Sequence, residues 1–143
     1  MKTKLIVLLT GSFLMMILLG VYFSPQSPPT KDFELKVIKI EGVWKVVDAT
    51  DYSKTEVKVK KKDTVIWNIE GTDAYFQFPV ELFDPVAAED SLQNGYTKFV
   101  KDGKKLKLKV KDTAEPGTYE YAIFCTADGV FAVGGSPPKI IVE

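Results

Sequence analysis

The sequence predicts an all-β sandwich with Greek-key connections, preceded by one N-terminal transmembrane or signal helix. Two observations carry the sandwich: about eight short segments alternate apolar and polar side chains, and turns containing Gly, Pro or Asp separate them at close spacing. A third carries the helix, since Leu5 to Phe23 holds no charge and only Thr10 and Ser12 as clearly polar side chains. The chain divides accordingly into residues 1–23, a Pro-rich tether over 24–32 and a domain over 33–143, long enough for one core.

Taken in order, Met1 to Lys4 is a short basic start. As a helix, the run to Phe23 spans about 28 Å, close to the ~30 Å hydrocarbon core of a bilayer. Neither a small-x-small cleavage pair nor a lipobox cysteine stands around Gly20 to Ser24, so an uncleaved signal anchor is the first reading and a cleaved signal the second. Lys2 and Lys4 favour a cytoplasmic N-terminus, which makes this a single-pass cell-membrane protein with its domain on the extracytoplasmic side. Cleavage would leave the domain secreted or periplasmic. Ser24 to Thr30 contains three prolines and reads as a stiff, extended tether.

Phe33, Leu35 and Val37 begin an alternation that runs through Ile40, Glu41-Gly42 breaks it, and Val43 to Val47 repeats it, so these are two strands of a hairpin. Val57 and Val59 form one arm, and Val65, Trp67 and Ile69 the other, around Lys60 to Asp63. That lysine run reads first as a solvated turn and second as a surface for an anionic partner. Gly71 to Gly95 is the least regular stretch, rich in large apolar side chains but broken by Pro79 and Pro85, with a short helix expected over Val86 to Leu92 behind Asp84-Pro85. Thr97 to Val100 and Leu106 to Val110 resume the alternation. Pro116-Gly117 then turns into a strand with Tyr119, Tyr121 and Ile123 on one face and Glu120 and Phe124 on the other, which runs into Cys125; Lys139 to Val142 closes the sandwich.

Composition excludes several function classes. The 19 basic residues, all lysine, balance 19 acidic ones, so no basic groove for nucleic acid is expected. The bidentate guanidinium fork is missing altogether. One cysteine cannot form an internal disulfide, and no zinc or iron–sulfur spacing exists. No histidine is present to act as a base, and the adjacent carboxylates of Glu89 and Asp90 point apart on either a helix or a strand, so no catalytic residue and no enzyme activity is expected.

The order Pro116-Gly117-x-Tyr119-x-Tyr121, then Cys125, a loop and a last strand, resembles the cupredoxin (blue-copper) family. There the loop reads Cys-x4-His-x4-Met, and a further histidine follows a Trp-Asn strand such as Val65-Ile66-Trp67-Asn68-Ile69. The resemblance covers roughly Asp63 to Val142 and implies a cupredoxin-like Greek-key sandwich. It also implies a degenerate metal site, because only Cys125 of the ligand set remains. Val130 stands at the histidine place, Gly135 at the methionine place, and Asp73 to Phe76, where the other histidine belongs, contains none. Met1, Met15 and Met16 all lie in the leader or span. A type 1 centre needs two imidazoles with its thiolate, so no metal and no cofactor is expected.

The bland reading of Cys125 is a small buried apolar residue; the alternative is a copper or electron-transfer site of unconventional make-up, using Cys125 with Asp73 or Asp128. In the family, the loop surface near the exposed histidine docks redox partners. By that resemblance Phe131, Val133 and Val130 are candidate partner-docking residues, with plugging of the sandwich end as the equal alternative. The partner expected is an unidentified membrane or extracytoplasmic protein. A respiratory complex is one candidate, because one membrane helix before a cupredoxin domain also resembles subunit II of some haem–copper oxidases, although the paired cysteines and histidines of their dinuclear copper site are absent.

Overall fold

The computed structural model describes residues 26–84, 97–135 and 137–143. The expected span over 5–23, the expected helix over Val86 to Leu92 and the Glu89-Asp90 pair lie outside these residues. Among the described residues no helix is long and apolar enough to cross a membrane.

Twelve strands stand among the described residues: β1 (Asp32–Ile40), β2 (Val43–Asp48), β3 (Glu56–Val59), β4 (Thr64–Ile69), β5 (Ala74–Gln77), β6 (Phe83–Asp84), β7 (Thr97–Val100), β8 (Lys105–Val110), β9 (Gly117–Glu120), β10 (Ala122–Cys125), β11 (Val130–Phe131) and β12 (Lys139–Val142). The sequence led us to expect about eight. Two of the additional strands, β6 and β11, are only two residues long, too short for alternation to show, and a third, β5, lies in the Pro-broken stretch after Gly71 that reads as irregular. The fourth arises because the expected strand through Tyr119, Tyr121 and Ile123 divides at Tyr121: β9 pairs with β12, and β10 with β5 and β11.

The hairpin expected between β1 and β2 is present, with Ile40 opposite Val43. Glu41 and Gly42 both have positive φ, 50° and 81°, the conformation a two-residue turn needs to match the strand twist. Strand β1 also lies parallel to β4, and the first sheet runs β2-β1-β4-β8-β6. Opposite it stand β11-β10-β5-β7 and β3-β12-β9. These two groups run on from each other through Tyr121, whose N–H donates to the Pro138 carbonyl at 3.0 Å. From β4 to β9 each successive strand changes layer, so the connections cross the ends of the sandwich as Greek-key connections do. The Tyr119 hydroxyl donates to the Glu115 carbonyl at 2.7 Å, the tyrosine corner found in many such sandwiches.

The period-2 pattern decides what faces inward. Leu35 and Val37, then Val65, Trp67 and Ile69, then Leu106, Leu108 and Val110 supply one wall of the core; Val57, Val59, Phe76, Tyr121, Ile123, Ile140 and Val142 supply the other. Trp67 is fully buried at the centre, with Phe76, Phe78, Phe83 and Tyr121 around it at centroid separations of 5.1 to 5.7 Å. Its indole N–H donates to the Tyr121 hydroxyl at 3.1 Å, so the one polar atom of the ring is satisfied across the two sheets. Burial pushes the Tyr121 hydroxyl far above its ordinary pKa, and it stays neutral. Tyr121→Phe keeps the packing but leaves that buried N–H without a partner, so it should destabilise the domain by about 1–3 kcal/mol in urea unfolding. A loss below about 0.3 kcal/mol would mean the bond contributes nothing net.

Candidate functional site

The end of the sandwich that holds Cys125 is built by four short strands in register. Val100 lies opposite Ala74, Ala74 opposite Cys125, and Cys125 opposite Val130, so one row crosses β7, β5, β10 and β11 on the inward face. The places that the family resemblance assigns to Cys125, to Val130 and to the Asp73 to Phe76 segment are therefore neighbours in space. What the row contains is apolar. Ala74 and Cys125 are fully buried, Val100 nearly so, and Val130 is 44% exposed at the sheet edge.

No imidazole exists to complete a trigonal copper site beside the Cys125 thiol. The two carboxylates that could join it, Asp73 and Asp128, are engaged elsewhere. Asp73 accepts the Asp102 N–H at 2.8 Å, while its backbone carbonyl accepts the Thr126 N–H at 3.0 Å. Asp128 accepts the Trp44 indole N–H at 2.6 Å and pairs with Lys39 at 2.6 Å, contacts that hold its carboxyl below the usual range. Among the described residues no group of three or more His, Cys, Asp or Glu side chains could hold a metal ion. The donor set does not fit type 1 copper.

Gly135, at the methionine place, does not stand over Cys125; a side chain there would meet Thr55 and Glu56 at the start of β3. The loop reaches that position because it is sewn to the edge of the first sheet. Val46 N–H donates to the Val133 carbonyl at 2.8 Å, and Val133 N–H to the Trp44 carbonyl at 2.9 Å. Gly134 permits this approach, since a Cβ on it would lie 2.9 Å from the Val46 carbonyl oxygen. Val133 is thus a seam between two sheets, with its side chain on the rim of an apolar crevice shared with Phe131, Tyr121 and Pro138.

One residue along, the same four strands carry a second row, on the outward face. Phe131 lies opposite Phe124, Phe124 opposite Tyr75, and Tyr75 opposite Phe99. Phe131 is 63% exposed, Tyr75 51% and Phe99 40%. The rings pair at centroid separations of 5.3 Å for Phe124 with Phe131 and 4.7 Å for Tyr75 with Phe99. Cross-strand aromatic pairs stabilise a sheet by a few tenths to about 1 kcal/mol each, and this stripe puts three exposed rings and a half-buried fourth on one sheet face. Sequence reasoning singled out Phe131 and missed Tyr75, Phe99 and Phe124 as its companions. The available signal was an aromatic at the outward phase of each strand, which becomes a stripe only once register is known.

Burial, and secondarily the Asp128 carboxylate, pushes the Cys125 thiol up from 9.0 to about 11. A thiol with a raised folded pKa favours the native state fully below its unfolded value, and that contribution fades as pH climbs from about 9 through 11. The stability difference between the native protein and Cys125→Ala should therefore shrink over that interval in urea titrations, while a polar thiol reagent labels the folded protein slowly at pH 7 and fast in denaturant. Rapid labelling of the folded protein at pH 7 would contradict the burial argument.

No protein-family model matches the chain, and no curated protein matches it in sequence. Solved structures that resemble it include variants of amicyanin. An oxidised methionine-to-leucine variant is 20% identical, with 77% of this chain and 80% of that one covered at a TM-score of 0.41. A Cu(I) methionine-to-glutamine variant is 18% identical over 81% and 95%, also at 0.41. Reduced Cu(I) amicyanin carrying a proline-to-glycine change, at pH 4, is 20% identical over 82% and 85% at 0.37. With identities this low and superpositions this loose, nothing about the chemistry of this chain follows from the likeness.

Proposed function

We propose that the chain is a membrane-anchored, extracytoplasmic module of cupredoxin-like fold without type 1 copper, acting as a binding or accessory subunit in a membrane complex and not as an enzyme. The observation that carries this reading is the pair of rows at one end of the sandwich. The inward row sets Cys125 between Ala74 and Val130, with Val100 one strand beyond, and none of these neighbours offers a donor. The outward row presents Phe131, Tyr75 and Phe99 to solvent, with Phe124 half-buried among them. Phe131, with Val133 beside the adjacent crevice and Val130 at the edge, forms the end of the docking face. The apolar run over 5–23 supports anchoring on its length, its lack of charge and the absence of a good cleavage site.

Purified full-length protein titrated with Cu(II) is expected to develop no intense thiolate-to-copper absorption in the visible region. A stoichiometric, strongly coloured species would overturn the copper-free reading.

Phe131→Asp should cost about 1 kcal/mol or less in stability, because the ring is mostly in water, yet remove a docking anchor able to carry ~2 kcal/mol of binding. Tagged protein solubilised from its own membranes should therefore lose its companions when it carries Phe131→Asp or Tyr75→Asp. The same change at exposed Thr118, on β9 in the other strand group, should keep them. Identical companions in all three variants would end the docking proposal.

A further inference from the structure

We propose that the lysine cluster at the end of the sandwich where the chain enters is a contact surface for anionic phosphate headgroups of the membrane that anchors it. The inference rests on the anchored reading above. Lys31 N–H donates to one Asp63 carboxylate oxygen at 2.8 Å, and Lys60 N–H to the other at 2.7 Å. Thr64 N–H donates to the Lys31 carbonyl at 2.8 Å. Asp63, only 4% exposed, thus clamps Lys31, the residue before β1, to the turn between β3 and β4. Pro28, Pro29 and Lys31 share one groove with Lys58, Lys60 and Lys61.

The charge at this end is not internally cancelled. Asp63, the acid nearest the cluster, is turned inward to backbone N–H groups. Lys58 pairs with Glu143 at 3.7 Å and Lys62 with Asp112 at 3.7 Å. Lys31, Lys60 and Lys61 are exposed, and among the described residues none has a carboxylate within ion-pair distance. Seven residues, Ser24 to Thr30, reach at most about 25 Å even when fully extended, so a chain held by residues 5–23 keeps these amines next to one charged plane, the headgroup layer. Tethering makes that contact intramolecular in effect, and a few lysines then suffice where free protein would need many.

The test uses full-length protein reconstituted into vesicles of phosphatidylcholine alone or with phosphatidylglycerol. An impermeant amine reagent labels each lysine, and mass spectrometry reads the rates. Lys31, Lys60 and Lys61 should label roughly five-fold more slowly in the anionic vesicles at low salt, with the difference vanishing at high salt. Lys101 and Lys104, beside the β7–β8 turn at the opposite end, should label alike in both. Equal rates at Lys31, Lys60 and Lys61 in both vesicle types, or equal slowing at both ends, overturns the proposal. The same protection from soluble inorganic phosphate in neutral vesicles overturns the assignment to lipid. Alkaline carbonate separates the two levels: extraction of the protein refutes anchoring itself, whereas equal labelling of a carbonate-resistant protein refutes the headgroup contact alone.

Discussion

The bond from Trp67 to Tyr121 is the constraint on which the rest of the domain depends. Trp67 belongs to the central strand of one sheet, and Tyr121 stands where the opposite layer passes from one strand group to the next. Four aromatic rings pack on the indole, and a buried N–H in that setting has to find an acceptor or cost the fold more than a mean hydrogen bond contributes. Satisfying it fixes how the two sheets sit on one another. It also fixes the phase of β10, because with Tyr121 inward Ile123 and Cys125 must follow inward and Phe124 must point out.

From that phase the two rows at the end of the sandwich follow without further choice. Strands β5 and β11 pair with β10, and β7 with β5, in a set register, so Ala74 and Val100 face the core with Cys125, Val130 stands half in water at the sheet edge, and Tyr75 and Phe131 on either side of Phe124 face solvent. The first row offers a single donor, the Cys125 thiol, because its other side chains are alanine and valine. The seam through Val133 and Gly134 then occupies the loop's backbone with holding β2. The loop retains a structural task that needs no ligand chemistry.

The larger elements were legible in the sequence because alternation over six to nine residues is a strong signal, as in β1, β4 and β8. The hairpin at Glu41-Gly42 was legible for the same reason, since both the break and its turn residues are explicit. The two-residue strands β6 and β11 are defined by their partners and not by their own pattern, and β5 was masked by the prolines and large apolar side chains around it. The division at Tyr121 was hidden because the side-chain phase continues straight through it while the hydrogen-bond partners change. At the candidate site, Cys125, Val130 and Phe131 were singled out by what the family resemblance implies for the loop. The aromatic stripe could not be singled out, because Tyr75, Phe99 and Phe131 lie far apart in the chain and meet only through register.

The parallel pairing of β1 with β4 carries a consequence for orientation. Both strands leave the end at which the tether arrives, so the turns after Ile40 and Ile69 lie at the other end, and Ala74 and Tyr75 follow within a few residues. Six strand residues rise about 20 Å, which sets the height of the aromatic stripe above the point where the chain enters. The stripe crosses its sheet from edge to edge and faces sideways, not upward. On an anchored chain, a protein that covers it would stand alongside in the same membrane and rise at least that far from the surface. A soluble protein arriving from above would meet the turns first.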